Sequence, residues 1–112
     1  VRAWLGSIKA RNGLLTVYLP HTTAAVTINE PELGLRQDVI EAVRELFRPG
    51  GPWRHNLVDD NAHAHLAAMF IGNSRVIPVA DGDLRLGTWQ AILLVEMDGP
   101  RERTLHLLYV GD

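Results

Sequence analysis

The sequence contains no cysteine, which excludes disulfide bonds and thiolate metal ligands. Any bound metal ion would therefore need histidine, carboxylate, backbone or water ligands. No apolar run reaches ~18 residues, so no membrane-spanning helix is expected. A signal-peptide pattern is also missing. Because the lack of cysteine is compatible with a reducing compartment, the chain is expected to be cytoplasmic.

The sequence also lacks an excess of basic residues. It carries 11 Lys and Arg against 13 Asp and Glu, which gives a formal net charge of −2, and its isoelectric point is about 6.2. A nucleic-acid-binding protein is expected to present a basic face. The composition therefore predicts neither a nucleic-acid partner nor a membrane partner.

The chain has the size and composition of one folded domain, spanning residues 1–112. It is 46% hydrophobic and 21% charged, which is ordinary for a globular protein able to bury a core. Apolar residues Val1, Trp4, Leu5 and Ile8 already have helical spacing, and no capping residue precedes them. We therefore expect the sequence to begin inside a helix, with an N-terminal segment missing.

The remaining pattern predicts a mixture of strands and helices. The first helix should end near Asn12-Gly13. Helices are then predicted from Pro31 to Phe47 and from Ala62 to Phe70, separated by a polar loop over residues 53–61. Strands are predicted at Leu14–Leu19, Ala24–Ile28, Arg75–Val79, Leu84–Leu86 and Thr104–Val110, with Ile92–Val95 as a central strand buried on both faces. This order predicts a single α+β domain with a mostly antiparallel sheet and two or three helices.

The histidines are the first candidates for chemistry. His21 follows a predicted strand, His55 lies in the polar loop, and His63 and His65 begin the short helix. Three neutral imidazoles can hold a divalent ion and leave one position for water, which the ion makes acidic. His63 and His65 are two residues apart, so on a helix they point about 200° away from each other. At most one of them should face a given site.

A plainer interpretation of the histidines stays open. A single histidine in a loop is more often a surface or capping residue, and the spacing matches no compact zinc signature. The fifth histidine, His106, alternates with Leu105 and Leu107 and is predicted to face solvent. The spacing alone therefore does not decide between a metal site and isolated side chains.

Glu30 and Glu96 are the candidate proton-transfer groups, because a positioned carboxylate can act as a general acid or base. Glu30 could instead belong to a helix start, where its charge favours the helix dipole. Glu96 could simply be an exposed residue at the end of its strand.

Four further side chains are candidates for binding a substrate. Asn29 and Asn61 could orient a ligand, or could cap a turn or helix. Ser74 closes the segment 72–74, which could form an anion-binding loop or a plain turn between helix and strand. Trp89 could stack on a ligand, although packing beneath the site is its ordinary role.

Several stretches together resemble the YjbQ family, also called UPF0047. The resemblance covers nearly the whole chain in order and spacing, and the first and fourth blocks are the most specific. The matching blocks are His21–Glu30 (HTTAAVTINE), Asp60–Leu66 (DNAHAHL), Ile77–Val79 (IPV), Leu86–Gln90 (LGTWQ) and Glu96–Arg101 (EMDGPR).

The resemblance implies a compact α+β fold that assembles as a homotrimer. It also implies a divalent-metal site, with zinc the expected ion and His21, His55 and His65 as ligands. His63 then lies behind the ligands or faces the substrate. Family members often carry a lysine where this chain has Ala67, which puts the binding of phosphorylated substrates in doubt.

Two hypotheses for the function follow. In the first, the three-histidine site supports a weak thiamine-phosphate synthase activity, which joins a pyrimidine pyrophosphate to a thiazole phosphate. In the second, the chain is a non-catalytic trimeric module that binds a metal or a small anion, since no confident proton-transfer dyad is visible. In either case the partners are a small phosphorylated molecule and further copies of the chain, and a purely structural metal is a third possibility.

Overall fold

The computed structural model describes all residues from 1 to 112 and has the α+β architecture expected from the sequence. Three α-helices and a short 3-10 helix at Arg54–Leu57 accompany six strands. The helices are α1 (Arg2–Ser7), α2 (Leu33–Leu46) and α3 (Ala62–Ile71). The strands are β1 (Gly13–Tyr18), β2 (Ala24–Asn29), β3 (Ser74–Ala80), β4 (Asp83–Leu84), β5 (Ala91–Glu96) and β6 (His106–Gly111).

The strands form two antiparallel sheets. The larger has the order β4-β3-β1-β6, and the smaller is a ribbon of β2 and β5. Strands β1 and β2 are neighbours in sequence, but the turn at residues 19–23 carries the chain from one sheet to the other. Consecutive strands therefore pair only in the hairpin of β3 and β4, and β1 pairs with two distant strands.

The core lies on the inner face of the larger sheet. Leu15 and Val17 of β1 are fully buried, and Ile77 and Val79 of β3 pack beside them. Leu5 of α1 covers this layer and is also buried. The alternation of buried and exposed residues along β1 follows from the two-residue period of a strand.

Strand β5 differs from its expected position. Ile92–Val95 was predicted to be buried on both faces, but β5 pairs only with β2 and contains no buried residue. Leu94 is 53% exposed. A short apolar run is compatible with several environments, so the sequence did not distinguish a central strand from one with an uncovered face.

The two longer helices contrast in how they pack. Four small residues of α3 are buried against β2, namely Ala62, Ala64, Ala67 and Ala68. Helix α2 starts two residues later than expected, because the Glu32 carboxylate accepts hydrogen bonds from the Gly34 and Leu35 amides. None of its 14 residues is buried. Neither helix, nor any other in the fold, has the length and apolarity needed to traverse a bilayer.

Candidate functional site

The most connected group of predicted site residues lies at the N-terminal end of α3. Asn61 immediately precedes this helix and is only 5% exposed. Its side chain lies between His55 of the 3-10 helix and Asp98 of the loop that follows β5. Two neighbouring segments and a third that lies 37 residues further along the chain therefore meet around one buried amide.

The hydrogen bonds of Asn61 fix its orientation and the tautomer of His55. The Asp98 carboxylate only accepts hydrogen bonds, so the Asn61 Nδ2 amide faces it, at 2.8 Å from Oδ2. Asn61 Oδ1 then lies 3.1 Å from His55 Nε2. Because Oδ1 is only an acceptor, Nε2 must carry a hydrogen, and in the neutral ring the basic lone pair lies on Nδ1.

A second histidine completes this cluster. The rings of His55 and His65 contact each other nearly edge to face, with centroids 4.6 Å apart and planes at 70°. Both rings line an open cleft of about 470 Å³. Trp53 and the exposed cation Arg54 lie along the same cleft. It thus combines a base, a second imidazole, an aromatic surface and a positive charge.

Asp98 was not singled out from the sequence as a candidate site residue. Its side chain is 18% exposed, and its carboxylate also forms an ion pair with Arg101 at 3.0 Å. The Arg101 Nε donates to the Asp98 backbone carbonyl at 2.7 Å. The only sequence signal for a role of Asp98 was its position, as an acidic residue, in the block Glu96–Arg101 that resembles the family.

Glu96 lies nearby but is engaged in an ion pair. Both of its carboxylate oxygens accept hydrogen bonds from Arg103, whose side chain is only 8% exposed. Those hydrogen bonds lower the pKa of Glu96 to about 2, and they raise the pKa of Arg103. Near neutral pH Glu96 is therefore an ionised partner with no proton to donate. Arg103 also donates to the Thr23 hydroxyl at 3.0 Å, which joins this loop to the start of β2.

Asn29, Glu30 and Trp89 lie at the other end of the β2–β5 ribbon. The pairing sets Asn29 opposite Ala91 at one end and Ala24 opposite Glu96 at the other. Strands of this length span roughly 17 Å. Asn29 Oδ1 accepts from the Glu30 amide. Glu30 and Trp89 line a separate cleft of about 240 Å³.

Glu30 and Glu96 both line a groove of about 430 Å³ along the β2–β5 ribbon, but they lie near its opposite ends and do not converge on one reacting atom. Ser74 is also apart from the His55 cluster, since it begins β3 opposite Tyr18. His63 lines a different groove from His65, as their two-residue separation on a helix requires.

The predicted three-histidine metal site is wrong. No three side chains of His, Cys, Asp or Glu come together so as to hold a metal ion. His21 Nε2 accepts a hydrogen bond from the Thr104 amide at 2.8 Å, while His55 Nε2 is turned toward Asn61. These residues do not fit a shared cation, so no step of the chemistry is derived through one. Binding of zinc or another divalent ion by the chain stays a prediction.

Comparison with known proteins places the chain among close relatives. The family model for UPF0047 protein YjbQ-like matches residues 1–112. A UPF0047 protein of Archaeoglobus fulgidus is 51% identical over 96 residues, which cover 86% of this chain and 76% of the relative. The UPF0047 protein YugU of Bacillus subtilis is 36% identical, and the match covers 99% and 84% of the two chains.

Solved structures agree with the computed fold. The crystal structure of a hypothetical protein from Aeropyrum pernix K1 is similar with a TM-score of 0.98 at 64% identity, covering 100% of this chain and 84% of that one. A YjbQ/UPF0047 protein of Clostridium acetobutylicum gives a TM-score of 0.93 at 35% identity, with 98% and 84% covered.

The comparisons support the family but not the predicted activity. None of these relatives is described as a thiamine-phosphate synthase. The three-histidine metal site on which that activity was to depend does not form. The hypothesis of a thiamine-phosphate synthase at such a site is therefore wrong. By its sequence over all 112 residues and by its fold, the chain belongs to the YjbQ-like, UPF0047 family.

Proposed function

We propose that the cleft at His55 is an acid–base site acting on a small phosphorylated molecule. The observation that carries this proposal is the hydrogen-bond chain from Asp98 through Asn61 to His55. A buried amide costs free energy unless its polar atoms are hydrogen-bonded. Asn61 forms hydrogen bonds through both its Nδ2 and its Oδ1. These hydrogen bonds therefore hold Nε2 of His55 toward the protein and leave Nδ1 for a reactant.

The proposed chemistry is proton removal by His55 Nδ1. Imidazole is the side chain whose ordinary pKa is nearest to neutral pH, which suits a general base. When Nδ1 takes a proton from a substrate hydroxyl or from water, the ring becomes cationic. The Nε2 hydrogen bond to Asn61, backed by the Asp98 carboxylate, then strengthens and stabilises that cation.

The charge of the cleft supports an anionic substrate. Arg54 lines it and forms no ion pair with any carboxylate of the chain. A guanidinium presents donors that match phosphate geometry. Trp53 offers an apolar surface beside it, which would suit the body of a small metabolite.

Histidine-detected NMR during titration with phosphorylated compounds tests this proposal. Inorganic phosphate and a panel of small phosphomonoesters at millimolar concentration are expected to shift the ring signals of His55 and His65. Arg54→Gln should weaken binding about tenfold or more, since a charge-assisted contact is lost. The matched control is Arg85→Gln, which removes an exposed arginine outside the cleft.

Turnover separates catalysis from binding alone. With a phosphorylated compound that is converted, His55→Gln should abolish conversion while binding at Arg54 persists. If no compound of the panel shifts either ring, the anionic substrate is wrong. If a compound is converted equally by His55→Gln, the general-base role is wrong.

The chain is further proposed to work as an assembly of its own copies, the homotrimer that the family resemblance implies. The outer face of the larger sheet supports association because it is apolar and uncovered: Val76 is 57% exposed, Leu108 63% and Val110 67%. An exposed apolar patch of this kind is typical of an interface. The radius of gyration is 16.1 Å, against about 13 Å for a compact domain of this length.

Light scattering during gel filtration measures the assembly directly. A homotrimer is expected to give about three times the chain mass of 12.4 kDa. A mass equal to one chain across micromolar concentrations would contradict the proposed assembly while leaving the acid–base site to its own test.

A further inference from the structure

A second groove lies on the opposite side of α3 from His65. It has a volume of about 400 Å³ and separates α2 from α3 and from the end of β5. Its walls are largely apolar, and His63 lies among them. The apolar lining includes Val39, Val43, Phe47, Ala67, Val95 and Met97. A volume near the lower end of the range for small-molecule sites favours a small ligand over a peptide.

One polar atom in this groove has no partner. His63 Nδ1 is shielded from solvent and makes no hydrogen bond, and it is the only buried side-chain nitrogen or oxygen atom of the chain in that condition. Unsatisfied buried polar groups are rare, and each calls for a specific explanation such as a missing ligand. Glu96 also lines the groove but does not supply the partner, because Arg103 and the Asp98 amide occupy its oxygens.

A positive charge lies along the same groove. Arg44, in the last turn of α2, lines it and forms no ion pair with any carboxylate of the chain. The other charged group of the lining, Glu96, is already paired with Arg103. The groove therefore offers one unpaired cation, one unpaired imidazole nitrogen and an apolar wall.

We propose that this groove binds a small apolar carboxylate. The hydrocarbon body packs against Val39, Val43 and Phe47, and the carboxylate pairs with Arg44. A rotation of the His63 ring that turns Nδ1–H into the groove lets it donate to the same carboxylate, which satisfies the orphaned nitrogen. This site is separate from the His55 cleft, and its ligand does not depend on the chemistry proposed there.

Calorimetric titration with 3-phenylpropionate tests the proposal, with 3-phenylpropanol as the uncharged match. The carboxylate is expected to bind about tenfold or more tightly than the alcohol, because only the carboxylate pairs with Arg44. Arg44→Gln should remove that preference. Arg48→Gln is the control, since it removes an exposed arginine just beyond α2 that does not line the groove.

Filling the groove supplies a second, steric test. Val43→Trp should abolish binding of 3-phenylpropionate, while Ala42→Trp should leave it unchanged, because Ala42 is exposed and does not line the groove. His63→Leu should weaken carboxylate binding about tenfold and leave binding of the alcohol nearly unchanged.

The same variants identify the outcomes that overturn the proposal. Equal binding of carboxylate and alcohol to the unaltered chain would remove the role of Arg44. Binding that survives Val43→Trp would locate the ligand elsewhere. If the unaltered chain binds neither compound, the proposed carboxylate site is wrong. A lower mass of the assembly in Val43→Trp would then show that a second copy of the chain occupies the groove.

Discussion

The larger sheet and helix α2 are both rich in apolar residues, yet they differ in what covers them. Leu15 and Val17 on the inner face of β1 are completely buried by residues of the same chain. On α2, Ile40 is 54% exposed and Leu46 is 72% exposed. The inner face of the larger sheet is therefore covered by residues of the same chain, whereas α2 leaves large apolar side chains exposed.

From this contrast we expect stability and the proposed assembly to depend on different parts of the molecule. A helix in water gains most of its stability from packing its apolar face, and α2 packs none of its residues completely. The outer face of the larger sheet is similarly uncovered. We therefore expect folding to depend on the inner sheet face and association on the exposed faces.

The largest expected effect is on the free energy of unfolding. Leu15→Ala should lower it by about 2–5 kcal/mol, because it leaves a cavity among fully buried neighbours. Leu46→Ala should change it by less than about 0.5 kcal/mol, as surface substitutions usually do. Urea unfolding at low protein concentration measures both variants. If both substitutions lower the free energy of unfolding equally, the distinction between the covered sheet face and the exposed helix is wrong.

A smaller effect is expected on association. Val76→Asp places a charge on the outer sheet face and should weaken assembly by about 10–100-fold, since an unpaired charge is costly to bury. Leu57→Asp is the matched control, because Leu57 is 91% exposed and lies outside the sheet. Light scattering across a dilution series gives both results. An unchanged mass for Val76→Asp would remove this face from the interface.

The ion pair between Glu96 and Arg103 gives a pH-dependent contribution of about 1 kcal/mol, reduced for the partial exposure of Glu96. The pKa of Glu96 falls from its usual 4.5 to about 2 on folding. The contribution is therefore fully present above pH 4.5 and is lost as the pH falls toward 2. Glu96→Gln should be less stable than the unaltered chain at neutral pH and equal to it near pH 2.

Glu45→Gln provides the comparison from α2. Glu45 is exposed and forms no ion pair, so no comparable loss is expected in urea titrations between pH 2 and 7. A constant stability difference between Glu96→Gln and the unaltered chain at every pH would contradict the linkage to this ion pair.

The sequence predicted the elements better than it predicted their contacts. The α+β class, the two longer helices and the strands were expected at or close to their observed positions, because strand alternation and helix signals are local. The first helix ends at Ser7, well before the predicted Asn12-Gly13, and the 3-10 helix at Arg54–Leu57 was predicted to be loop. The pairing of β1 with β3 and β6 was not predicted, since sequence neighbours do not determine sheet order. The exposure of β5 was also not predicted, because an apolar run does not show whether residues of the same chain cover its side chains.

The candidate site was predicted only in part for the same reason. The sequence selected His55, Asn61 and His65, which do lie together, but it also placed His21 with them. Asp98 was not among the predicted site residues, although its carboxylate orients Asn61. Which donor faces which acceptor depends on distances between remote segments, and these are settled only in the fold.

The central claim is that the Asp98–Asn61 pair holds the hydrogen of neutral His55 on Nε2. Two-dimensional nitrogen–proton NMR of the histidine rings reports the tautomer directly. We expect His55 to show the Nε2–H pattern in the unaltered chain and a mixture of tautomers in Asn61→Leu. A His55 ring that carries its hydrogen on Nδ1 in the unaltered chain would contradict the proposed orientation of the ring.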